Sequence, residues 1–144
     1  ARGVGVDYSA NAVSASSSNA LANGVGERAT FRTGNWCEGV SGPFDLVVSN
    51  PPYIAESEWA GLPPEVAAFD PPVALRGGQD GLSAYRALIP QTLGILAGGG
   101  WIALEIGLNQ DTAVSALLDA SGLRVVDKRP DLSGIPRCII GQRK

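Results

Sequence analysis

At 144 residues, 44% hydrophobic and 17% charged, the chain can bury one core but is too short to divide safely into two, so residues 1–144 are expected to form a single domain. A formal net charge of -3 argues against an extended nucleic-acid footprint, because phosphate binding draws on clustered Lys and Arg. The absence of histidine excludes Ser-His and Cys-His catalysis, and Cys37 and Cys138 lack metal-ligand spacing, so no metal is expected.

In chain order, Gly3-Val4-Gly5-Val6-Asp7 reads as a short buried strand, and Ser9 is placed to cap a helix over residues 10–23 that Gly24 closes. Residues 28–32 read as a second strand. Residues 44–49, apolar and β-branched between Gly42-Pro43 and Pro51-Pro52, read as a third that must stop at Asn50. From 51 to 81 the chain is rich in proline and glycine, which inside a compact domain predicts a functional loop. A helix over 82–96 containing Pro90 follows, then a turn at Gly98-Gly99-Gly100 into a strand over 101–106. Residues 109–120 read as helix ended by Gly122. Strands over 123–129 and 137–142 are joined by a link too short for a helical crossover, so they should pair antiparallel. The alternation is that of an α/β domain with a mostly parallel sheet. No apolar stretch reaches the roughly 18 residues of a membrane span, and no secretory signal opens the chain, so a cytoplasmic protein is expected. With no methionine and a strand at its very start, the chain is expected to be a fragment of a longer protein.

The segment that carries chemistry is Asn50-Pro51-Pro52-Tyr53. Ligands of open α/β sheets bind beyond the carboxyl ends of the strands, so Asn50 should face a crevice. Pro51 holds Asn50 extended, and the two prolines fix their own φ and carry no N–H, which makes a stiff corner offering acceptors. The Asn50 side-chain oxygen and the Pro51 carbonyl can each take one hydrogen of an NH2 group and aim its nitrogen at an electrophile. Tyr53 supplies a wall for a planar or cationic group. Against this stands the plainer role of a proline-rich strand terminator.

This tetrapeptide resembles the signature of amino methyltransferases, and its setting is similar to the HemK family of protein-(glutamine-N5) methyltransferases. The same resemblance is carried by Gly3-Val4-Gly5-Val6-Asp7, by Gly34-Asn35-Trp36, by the block from Phe69 to Leu82 with Tyr85-Arg86, by Ala103-Leu104-Glu105-Ile106-Gly107, and by Asp131-Leu132-Ser133-Gly134. It implies a class I S-adenosylmethionine-dependent methyltransferase with a Rossmann-like sheet, mostly parallel with a C-terminal antiparallel hairpin. The first strand and helix of that fold, with the glycine-rich loop that cradles the cofactor's methionine part, are expected to be missing. A gap in the core or an altered strand pairing should follow.

By resemblance, Asp7 binds the cofactor ribose, although a carboxylate there can also serve the N-terminus of the next helix. Asn35 and Trp36 stand where the family has Asp-Trp beside the adenine, with Trp36 equally suited to a core. Asn50 contacts both cofactor and substrate, Tyr85 and Arg86 suit packing and ion pairing, and Glu105 suits a supporting acceptor. The resemblance implies S-adenosylmethionine as cofactor and the Gly-Gly-Gln glutamine of a class 1 release factor as substrate. Two alternatives are an amino methyltransferase of adenine N6 or guanine N2, and an inert assembly fragment in which two copies exchange elements as a homodimer.

Overall fold

The computed structural model describes the backbone of residues 1–144 and every side chain except that of Ala67. The residues group into two compact units, Ala1–Ser41 and Gly42–Lys144.

The first unit holds strand β1 (Gly3–Asp7), helix α1 (Ala10–Ala22) and strand β2 (Ala29–Thr33). The strands run parallel, in register from Gly3 opposite Ala29 to Asp7 opposite Thr33. Ser9 caps α1 as its sequence position predicts: its backbone is extended and its hydroxyl accepts the Ala12 N–H at 3.3 Å. The serine-rich helix buries only Ala20 among its residues, so packing holds it weakly.

The second unit contains strand β3 (Phe44–Ser49), a short 3-10 helix (Glu56–Gly61) and helices α2 (Pro64–Phe69), α3 (Pro72–Leu75) and α4 (Ser83–Ile95). Strand β4 (Leu96–Glu105), helix α5 (Asp111–Ala120) and strands β5 (Leu123–Pro130) and β6 (Pro136–Arg143) follow. Its sheet has the order β3-β4-β6-β5. β3 and β4 are parallel, and β6 is antiparallel to both β4 and β5. The expected terminal antiparallel pair is present, and β6 enters between β5 and β4. β1 pairs with β2 alone, and β3 pairs with β4 alone.

Three expectations are corrected. The strand Gly3–Asp7, expected to be buried, exposes Gly3, Val4 and Asp7, and its other two residues are half-buried. The proline-rich stretch after Pro51 is broken by three short helices; α2 and α3 each begin on a proline, whose fixed φ and missing N–H suit a first helical turn. The glycines at 98–100 lie inside β4, where Phe44 pairs with Leu96 but Leu46 with Trp101, so the extra residues bulge out of the ladder and Gly99 takes φ +76°. Helix α4 runs through Pro90 on its exposed side, where water can serve the Arg86 carbonyl that lacks its helical donor.

Alternation along the strands sends Ile102, Leu104 and Ile139 to one face, where they are buried together with Tyr85, Leu88 and Ile89 of α4 and Val114 and Leu118 of α5. Leu46, Val48 and Trp101 belong to the opposite face and stay exposed. The core thus fixes the carboxyl ends of β3 and β4 side by side.

Candidate active site

Ser49 is paired with Leu104, so Asn50 leaves β3 next to Glu105, the last residue of β4. Asn50 is exposed and lines a crevice of about 590 Å³ with Ser49, Ala103, Glu105, Arg137 and Cys138 among its walls. Its side chain has no hydrogen-bond partner among the described residues, leaving the amide oxygen free to accept. Pro51 is different: it is less than 2% exposed, so its carbonyl lies below the surface. Pro52 and Tyr53 are half-buried.

Tyr53 and Glu105 tie the two strand ends together. The Tyr53 hydroxyl donates to Glu105 Oε1 at 3.2 Å. Burial pushes the Tyr53 phenol above its ordinary range, the Glu105 charge and hydrogen bond add to this, and Arg137 opposes it. The phenol therefore remains a donor at physiological pH. Tyr85, fully buried as the packing residue its position predicts, donates to the Glu105 carbonyl at 2.8 Å. Arg137 donates to the Ile106 carbonyl at 3.2 Å and reaches Asp131 at 3.6 Å. Asp131 in turn accepts the N–H groups of Ser133 and Ile135, which with Arg137 hold its carboxyl below the usual range.

The block after Phe69 braces the corner from below. Ile54 donates to the Leu75 carbonyl at 3.0 Å and accepts from the Gly77 N–H at 2.8 Å, while the Arg76 guanidinium stacks 4.3 Å from the Trp59 ring centre. Asp80 and Arg86 form the expected ion pair in bidentate form, at 3.0 and 2.6 Å. Arg86 beside it pushes the Asp80 carboxyl down to about 2.

One residue here was not singled out in the sequence. Gln110, at the start of α5, donates from Nε2 to the Tyr53 carbonyl at 2.9 Å and lies 3.4 Å from the Gly81 carbonyl, while its Oε1 accepts the Gly107 N–H at 3.0 Å. Its partners are scattered along the chain, so no local pattern announces it.

In the first unit, Asp7, Asn35 and Trp36 share one end of the β1/β2 pair. Gly34 donates to the Asp7 carbonyl at 3.0 Å, which places the turn after β2 beside the end of β1. Asp7 Oδ1 accepts the Ser9 N–H at 2.8 Å, the helix-end service anticipated for it, and Oδ2 takes no hydrogen bond among the described residues. Asn35 is exposed. Trp36 is half-buried at φ +55°, a left-handed conformation that costs a bulky residue and is held by the Asn35–Glu38 turn. Among the described residues no group of His, Cys, Asp and Glu is placed to hold a metal ion.

The family model for the methyltransferase small domain matches residues 2–61. The release factor glutamine methyltransferase of Rhodospirillum rubrum is 46% identical over 142 residues, 99% of this chain and 44% of the relative. That of Bradyrhizobium diazoefficiens is 46% identical over 143 residues, 98% of this chain and 48% of the relative. Over nearly its whole length this chain is similar to release factor glutamine methyltransferases. It spans about half the length of the curated relatives it matches. A methyltransferase from Pyrococcus furiosus has the same fold, with a TM-score of 0.72 at 16% identity over 99% of this chain and 62% of that one. The α/β methyltransferase fold implied by the motifs is therefore the fold observed.

Proposed function

We propose that residues 1–144 are part of one catalytic domain whose complete form transfers a methyl group from S-adenosylmethionine to the side-chain amide nitrogen of a glutamine, that of the Gly-Gly-Gln motif of a class 1 release factor. The observation that carries the reading is Asn50: an exposed amide without a partner, at a proline-fixed strand exit, facing a crevice. An amide nitrogen is a weak nucleophile because resonance holds its lone pair, so alignment is the main service the protein can render. Asn50 takes one hydrogen of the substrate NH2. The Pro51 carbonyl takes the other. Pro52 stiffens the turn, and Tyr53, held by Glu105, forms the wall behind the nitrogen.

The residues present fit the cofactor's chemistry. A ribose diol wants a carboxylate oxygen not already engaged, and Asp7 Oδ2 is one. An adenine amine wants an acceptor and a flat neighbour, and Asn35 with Trp36 in its fixed turn supply both. When bound, the cofactor supplies the electrophilic methyl; the chain's own residues orient the nitrogen. Release factors work where translation ends, so the reading carries a cytoplasmic location with it.

The test is incorporation of labelled methyl groups into purified release factor, with Asn50→Ala in parallel. Turnover should fall roughly a hundred-fold with alignment lost, while affinity for S-adenosylhomocysteine changes little. An Asn50→Ala protein with undiminished turnover would remove the basis of the proposal.

A further inference from the structure

We propose that Gln110 is a positioning residue, one that sets the geometry of the Asn50–Tyr53 corner without touching substrate. The inference rests on reading that corner as the reacting site.

Pro51 and Pro52 have no N–H, so the corner cannot be tied down through its own amides at those positions. Its anchorage falls to groups from outside, and two are in place: Glu105 on the Tyr53 hydroxyl and Gln110 on the Tyr53 carbonyl. The Gln110 carboxamide is oriented unambiguously, because a carbonyl faces its nitrogen and an N–H faces its oxygen. It joins four segments at once: the start of α5, the exit of β4 at Gly107, the exit of β3 at Tyr53, and the block ending at Gly81.

Room has been left for it as well. A Cβ on Gly81 would lie 2.5 Å from Gln110 Nε2 and 2.5 Å from the Tyr53 oxygen; one on Gly107 would lie 2.9 Å from Gln110 Oε1 and 3.0 Å from Tyr53 Cδ2. Neither backbone could come so close with any side chain of its own. A glutamine serving only to end a helix would need neither the two glycines nor the reach to Tyr53.

An error of about an ångström in the placement of a reacting group costs on the order of a hundred-fold in rate. Gln110→Ala should therefore lower kcat roughly ten- to a hundred-fold while leaving S-adenosylhomocysteine affinity within about two-fold. Gln110→Glu keeps the shape and the acceptor for the Gly107 N–H, but its ionised carboxylate has no hydrogen to give Tyr53. When protonated, the same group can donate again.

The experiment compares Gln110→Ala, Gln110→Glu and Asn50→Ala with the unaltered protein in methyl transfer to release factor across pH, with calorimetric titration of S-adenosylhomocysteine and a urea midpoint for each. Support consists of a lowered kcat in Gln110→Glu that recovers relative to the unaltered protein as pH falls through the introduced carboxyl's titration. If Gln110→Ala fails to fold, Gln110→Glu carries the test alone. Wild-type kcat in a folded Gln110→Glu protein, or a loss whose ratio to wild type is flat with pH, overturns the positioning role while Asn50→Ala remains inactive. Should Asn50→Ala itself turn over normally, the reading of the corner fails, and this inference with it.

Discussion

The Gln110 carboxamide meets the Tyr53 carbonyl at 2.9 Å, linking two residues 57 positions apart and bringing the start of α5 against the exit of β3. The link exists because Gly81 and Gly107 leave the space in which it lies. Ala at either glycine would press a methyl group against this pair, and Gly81 would also be strained at its φ of +75°. Gly81→Ala is expected to lower stability by about 1–3 kcal/mol, the usual cost of overpacking, as read from urea unfolding. Methyl transfer should fall with it.

Asp7 offers a separate test. Its Oδ1 serves the Ser9 N–H, and Oδ2 is the oxygen we propose for the cofactor ribose. A hydrogen bond to a charged group is worth about 1.5–3 kcal/mol, so Asp7→Ala should weaken S-adenosylhomocysteine binding roughly ten- to a hundred-fold. Asp7→Asn keeps an acceptor and should lose less. Calorimetry on the two variants gives the order directly.

The Tyr53 phenol is raised first by burial and then by Glu105. Glu105→Gln removes a negative charge that opposes formation of the phenolate, so the Tyr53 pKa should fall. Burial remains, and the value should stay above that of an exposed phenol. Ultraviolet titration of Glu105→Gln against wild type measures the difference; an unchanged titration would mean that the two side chains are not coupled in solution.

Acid should loosen the fold in a narrow window. Asp80 moves from an ordinary 3.8 to about 2, chiefly through Arg86, and Asp111 is lowered by its hydrogen bond to Lys128. A carboxyl lowered by folding contributes stability that is present above its unfolded pKa and lost as pH falls through its folded one. For Asp80 the loss therefore runs from about 4 down to about 2. Because the pair is exposed, the change should be small. Asp80→Asn should remove this part of the pH dependence, which thermal unfolding at a series of acidic pH values will reveal.

The corner at Asn50 was legible in the sequence because every signal for it is local. An apolar β-branched run sits at residues 44–49, and two prolines forbid its continuation. Ser9 as a cap and Gly122 as a helix stop were legible for the same reason. The glycines at 98–100 were not, since positive φ suits a turn and a bulge equally and only the pairing of Leu46 with Trp101 decides between them. Pro51 showed its restricted φ but not its burial, which depends on what the fold places over it. Gln110 stayed hidden for a similar reason: a polar residue before a helix is ordinary, and its meaning lies in Tyr53 and Gly81, far away along the chain.

Strand β3 stands at the margin of its sheet, hydrogen-bonded on one side and turning Leu46 and Val48 to solvent, with Asp45 as its single charge. Such a margin invites the same strand of a neighbouring molecule, so the polypeptide will be prone to self-association. Purification at low concentration, or a lysine at position 46, which does not line the crevice, should keep it dispersed without disturbing the end of the strand from which Asn50 projects.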